Sequence, residues 1–328
     1  MMKRLLSFLL VSLLSFSLFA CDLSSLLGDG ESGEFTPTVY TEVVKDSFEK
    51  TYADQLSPNE KAIYDAVVAL PAGTDRVQIT FPEVPALCRG RAPTDEEMNK
   101  LGEDISRFTA NALYAAWLDT PTLFWLDHGK YSYNFEVASD TDGVVRLSAL
   151  TLSLTLTATP EEIEAQSKAL TLATAGFLPL GKTAADKVAY INSYLAARIE
   201  YDLNAANRGS VIGALVDGKC VCEGYARAFD YLCDIAGVDA VCVPGYGITD
   251  EGREGHMWNA VTIDGKTYAV DATWNDTTGK NAYLLVGTNT VCNGTAFGKS
   301  HEPNMLTLEG PHKQFALPKI EKTGYGIS

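Results

Sequence analysis

Histidine is nearly missing from this chain: four residues in 328, His128, His256, His301 and His312. Any reaction that needs an imidazole therefore has few candidates. Positive charge is short as well. Lys and Arg number 26 against 42 Asp and Glu, a formal net charge of −16, and no basic run or stripe is present. Nucleic acid is thereby excluded as an expected partner. The seven cysteines follow no disulfide-scaffold spacing for a chain of this size. Internal repeats and low-complexity tracts are lacking too. What remains is an acidic chain, 46% apolar, long enough for about two domains with proper cores.

The start reads as a targeting segment. Lys3 and Arg4 precede an apolar run too short to span a membrane comfortably, which ends in small residues and a cysteine. Leu18-Phe19-Ala20-Cys21 resembles a bacterial lipobox, although Phe19 is bulkier than usual there. Residues 1–20 are then a signal peptide, Cys21 is the lipidated new N-terminus, and 21–40 is a flexible tether rich in Ser, Gly, Glu and Thr. An ordinary secretory signal cleaved nearby is the other reading. Either one exports the chain; the lipidated form would sit in the bacterial cell envelope, touching the membrane through its lipid.

A first folded region is expected over 41–158. Ser57-Pro58-Asn59-Glu60 and Thr94-Asp95-Glu96-Glu97 are capping boxes opening two helices, the second running to about Trp117. The period then changes. Residues 122–126, 130–137 and 144–158 look like strands, with Leu150, Leu152, Leu154 and Leu156 alternating with Thr and Ser. Asp140-Thr141-Asp142-Gly143 is the turn between the last two; later acidic ligands of a calcium loop are missing. The aromatics Trp117, Phe124, Trp125, Tyr131 and Tyr133 are expected in the core.

The second region, 159–328, opens at the capping box Thr159-Pro160-Glu161-Glu162. A helix with Val188, Ile191, Leu195 and Ile199 on one stripe follows Thr183. Another starts near Cys222 and closes at Gly237. A strand over 240–247, a loop, and a hairpin turning at Asp264-Gly265 come next. Residues 282–286 read as one more strand.

Chemistry gathers in this region. Ala226, Phe229, Cys233 and Ala236 follow Cys222 at helical spacing, which leaves Cys222 at the helix N-terminus. Unpaired N–H groups and the helix dipole favour an anion there, so Cys222 gains more than Cys220 as a thiolate. With Asp264 and Gly265 as the two turn residues, facing partners in the hairpin have numbers that sum to 529. His256 and Asp271 then lie on one face as diagonal neighbours, roughly 7–8 Å apart. A carboxylate can reach an imidazole nitrogen across that gap. Thiol, imidazole and carboxylate together are the parts of an activated cysteine nucleophile. No cofactor is implied, and a zinc set of Cys220, Cys222, Cys233, Cys242 and His256 fails on ligand spacing.

Gly218-Lys219-Cys220-Val221-Cys222-Glu223-Gly224-Tyr225-Ala226, Gly255-His256-Met257-Trp258-Asn259 and Tyr268-Ala269-Val270-Asp271-Ala272-Thr273-Trp274 resemble the bacterial transglutaminase-like superfamily. The resemblance covers about 183–276 and includes the helix end Ile199-Glu200-Tyr201-Asp202. It implies an α+β, papain-like domain with Cys222 as nucleophile, His256 as base and Asp271 as its orienting partner. Cys220, Asn192 and Met257 depart from the common pattern. Cys220 reads as a small packing residue, or else as half of a redox lock with a partner such as Cys292. The Cys222 N–H is a natural oxyanion donor, and the Tyr201 phenol is a weak candidate for a second.

The expected function is thiol-dependent acyl transfer or hydrolysis on peptide or glutamine amides, through a Cys222 thioester. Protein or peptide, including peptidoglycan peptide, is the expected substrate. The alternative is a non-catalytic binding or scaffold lipoprotein on the same fold.

Overall fold

The computed structural model describes residues 35–40, 48–304 and 315–326. The expected signal peptide, Cys21 and most of the tether lie outside them, as does His312. Among the described residues, no helix is long and apolar enough to cross a membrane.

Capping boxes place the helix starts. In α1 (Pro58–Val68) and α2 (Asp95–Asp119), Glu60 and Glu97 accept the N–H groups of Ser57 and Thr94 at 2.7 and 2.8 Å. β1 (Arg76–Ile79) and β2 (Ala86–Arg89) separate these helices, and β3 (Leu126–Ser139) and β4 (Val144–Leu156) follow them. All pair antiparallel on β4. Leu150, Leu152 and Leu154 face Ile63, Ile105 and Phe108 of the two helices in one buried cluster. Trp125 is in that cluster, and the hydroxyls of Tyr131 and Tyr133 donate to carbonyls of α2. The aromatics thus belong to packing. Residues 121–125 are turns, however; the expected strand there begins at Leu126.

The helix α3 (Pro160–Thr174) bridges two cores: Ile163 packs with the first cluster, Leu170 with Val211 and Ile212. Next comes α4 (Ala184–Ala196), which ends before Ile199 rather than after it. The released chain forms β5 (Glu200–Tyr201), parallel to β6 (Lys219–Cys220) just past a π-helical turn. Then α5 (Cys222–Ala236) ends at Gly237, whose φ of +66° only glycine adopts freely.

A four-stranded antiparallel sheet carries the other side of the site. It comprises β7 (Asp239–Thr249), β8 (Gly252–Ile263) and β9 (Lys266–Val270), followed by α6 (Ala272–Thr277), β10 (Val291–Cys292), β11 (Thr295–Ala296) and α7 (Phe297–Ser300), and is completed by β12 (His301–Pro303) in the order β12-β7-β8-β9. The segment before His256 is strand, not loop. Residues 282–286 make only one bridge, Ala269 to Val286, and Leu285 breaks the run at φ +51°. Phe229, Leu232 and Cys233 of α5 pack with Val261, Ile263 and Val270 of the sheet.

The two regions share a third core. Tyr52, Tyr114 and Leu118 pack with Val241, Val243 and Trp258. Buried Tyr52 donates its hydroxyl to the Cys242 carbonyl at 2.7 Å. Buried Arg227 of α5 donates to the carbonyls of Trp117 at 2.6 Å and Pro121 at 3.4 Å.

Candidate active site

Cys222 is the first residue of α5 and is partly exposed. Cys220, two residues earlier, is fully buried against the helix. A Cβ at Gly224 would come within 2.5 Å of the Cys220 Cβ, so the close approach needs glycine. Burial pushes the Cys220 thiol well up, with the neighbouring Cys222 adding to it. Cys220 and Cys292 are both free thiols.

The β8–β9 ladder runs from Ile263–Lys266 to Asn259–Val270, the expected register, with Asp264 and Gly265 both left-handed at φ +51° and +71°. The ladder stops there. Asp271 leaves the strand and becomes the N-cap of α6, its side chain accepting the Trp274 N–H at 3.0 Å through Oδ1. Its other oxygen, Oδ2, meets His256 Nε2 at 2.9 Å. Thus the pair forms at the turn into a helix rather than across a continuing ladder.

With Nε2 on Asp271, Nδ1 is the nitrogen left for Cys222, whose proximity favours the His256 imidazolium. Burial works against the His256 imidazolium. The Asp271 charge and hydrogen bond, and then Cys222, outweigh it and raise His256 to about 10. Asp271 shows the mirror image: burial opposes its carboxylate, but the His256 charge and hydrogen bond and the His301 bond hold it well below the ordinary range.

His301 is the residue that sequence reasoning missed. Its Nε2 lies 3.1 Å from the same Asp271 Oδ2, and its Nδ1 is 3.0 Å from Ser300 Oγ. It stacks on Phe297, with centroids 3.9 Å apart. β12 carries it to β7, where it pairs with Gly247. The available signal was histidine scarcity alone, since no motif surrounds it. Donor atoms of His256, Asp271 and His301 lie within 4.8 Å of one another. Both imidazoles also hydrogen-bond to Asp271 Oδ2.

Trp274 covers the pair, stacked on His256 at 5.0 Å and 28°. Tyr201 lies beside Cys220 in the short parallel ladder and is 40% exposed. Burial, and then the proximity of Cys222, raise its phenol to about 12, so it is a proton donor at neutral pH. Asn192, on α4, holds Asn275 and Asn281 by side-chain hydrogen bonds.

Residues 175–272 match the profile of the transglutaminase-like superfamily. The chain carries a transglutaminase-like domain. The mixed α+β fold is the one that domain implies. The chain is also similar to kyphoscoliosis peptidase of Mus musculus, 30% identical over 161 residues, and of Homo sapiens, 34% over 102 residues. Those alignments cover 43% and 27% of this chain but only 24% and 15% of the relatives. Among solved structures, a TGase is 15% identical over 60% of this chain and 50% of its own, with a TM-score of 0.28. The periplasmic domain of TgpA from Pseudomonas aeruginosa is 14% identical over 71% and 96%, with a TM-score of 0.25. Likenesses that loose add nothing to the geometry.

Proposed function

We propose that the domain is a cysteine acyltransferase or hydrolase acting on peptide or glutamine amide bonds through a Cys222 thioester. The observation that supports it is the His256–Asp271 hydrogen bond, with Cys222 acting on His256 from the N-terminus of a helix. The Cys222 thiolate attacks the amide carbon, and the C–S bond forms as the carbonyl π pair moves to oxygen. The Cys222 N–H, free at the start of α5, and the Tyr201 O–H are the proposed donors to that oxyanion. As the oxyanion collapses, the C–N bond breaks and the His256 imidazolium passes its proton to the departing nitrogen. Neutral His256 then takes a proton from water or an amine, which attacks the thioester and releases the thiolate. Asp271 holds the imidazole in the tautomer this needs.

Water as acceptor gives hydrolysis, and an amine gives transamidation. The relatives named as peptidases favour testing hydrolysis first. The proposed setting is the cell envelope, reached through the Lys3–Arg4 leader and Cys21, with protein or peptide, including peptidoglycan peptide, as substrate.

The test is iodoacetamide labelling of the full chain under reducing conditions, read per cysteine by peptide mass spectrometry. Cys222 is expected to label fastest at neutral pH, ahead of Cys220, and to lose that lead in His256→Ala. An inert Cys222, or one indifferent to His256, would overturn the enzymatic reading in favour of a binding module.

A further inference from the structure

Burial alone does not explain a second histidine on the Asp271 carboxylate. His301 is 2% exposed, and its Nε2 and that of His256 converge on one oxygen, Asp271 Oδ2. Two donors on one oxygen each receive a smaller share of its electron density than a single donor would. The second nitrogen of His301 meets the Ser300 hydroxyl. A neutral imidazole that donates from Nε2 must accept at Nδ1, and a hydroxyl can supply that hydrogen.

We propose that His301 is a positioning residue for the Cys222 reaction: it donates Nε2–H to Asp271 Oδ2, aims that carboxylate at His256, and tempers how strongly the carboxylate holds the His256 proton. This rests on the reading of Cys222, His256 and Asp271 given above. Tempering has a use in the reaction. His256 must give its proton to a leaving amine and then act as a base toward water, and a carboxylate with no second donor would hold the imidazolium tighter. The titratable groups around His301 are Asp271, His256 and Tyr283; the Asp271 charge also reaches Cys292, and Cys222 acts on His256. Burial keeps His301 itself below the ordinary imidazole range despite Asp271. The aromatic box of Phe297, Trp258 and Trp274 around its ring excludes water from the shared oxygen.

The experiment is imidazole nitrogen NMR on the full chain labelled with ¹⁵N-histidine, which gives only four ring systems. His301 is expected to stay neutral with its proton on Nε2 from about pH 6 to about pH 9. In His301→Phe, which keeps a ring in the stack but loses the donor, the His256 titration should move up by about one pH unit. His301→Gln, whose amide can donate from nearly the same place, should bring it back. A His301 proton found on Nδ1, or a His256 titration unmoved in His301→Phe, would overturn the proposal. Should His301→Phe fail to fold, the wild-type tautomer and the Gln variant decide it alone. Cys222 labelling in wild type separates the two failures. An unreactive thiol beside a coupled His301 refutes the enzyme and spares the coupling; a reactive thiol with an unmoved His256 does the reverse.

Discussion

Gly247 stands against Trp274 with room for a hydrogen and nothing larger: a Cβ there would lie 2.9 Å from the indole Cζ2 and 3.5 Å from His256. The Trp274 ring is the cover over His256, so the absent side chain on β7 fixes the position of a group on α6. Gly247→Ala should push the indole off the imidazole. The expected outcome is a loss of roughly 1–3 kcal/mol of stability, as for other overpacked sites, together with slower Cys222 labelling. Urea unfolding and labelling on the same sample check both.

Asp271→Asn should cut the Cys222 labelling rate at neutral pH by about 100-fold or more, because the amide can favour the wrong His256 tautomer. Stability should change with pH in a defined way. The depressed Asp271 carboxyl contributes fully above its unfolded value of about 3.9, and the contribution is lost as pH falls through the lower folded value. Raised His256 contributes fully below its unfolded value of about 6.5, and that contribution is lost as pH rises through about 10. This pair therefore supports the fold best between about pH 4 and about pH 6.5. Thermal melts of wild type against Asp271→Asn should differ most within that window and converge toward strong acid and above about pH 10.

Tyr201→Phe removes one hydroxyl from a ring that is already 40% exposed. Melting should be unchanged, while turnover of a p-nitrophenyl ester should fall about tenfold or more, as when an oxyanion donor is lost. Equal turnover in the two proteins would remove Tyr201 from the site.

Arg227 links the helix that bears Cys222 to the end of α2. Arg227→Ala leaves the Trp117 and Pro121 carbonyls without this donor and empties a buried space beside the Trp117 ring. A loss of about 2–4 kcal/mol is expected from the unmade hydrogen bonds and the cavity. A chain lacking residues 41–158 should lose more than that and expose Val241 and Val243, read as increased hydrogen exchange on β7.

Local signals in the sequence served well where the physics is local. The boxes at Ser57, Thr94, Thr159 and Thr183 each open a helix, and Asp264-Gly265 turns the hairpin in the expected register. Cys222 begins α5 because the apolar spacing after it leaves no turn before it. Legibility failed where tertiary partners decide. Residues 282–286 are apolar enough for a strand, yet the chain turns at Leu285 to pack against the sheet. Residues 122–126 are similar: Trp125 is buried by turns that deliver β3 to β4. His301 reaches Asp271 only because a three-residue strand docks on the far edge of β7, and no periodicity announces so short an element.

Both oxygens of Asp271 are committed. One ends the backbone of α6 and the other answers two rings, so the carboxylate cannot swivel without releasing a partner. Side-chain reach is therefore as binding as charge at this position. Glutamate, one methylene longer, would bring the same charge and satisfy either the helix or the imidazoles, but not the two together. The short acid makes the start of a helix and the aim of a histidine a single geometric event.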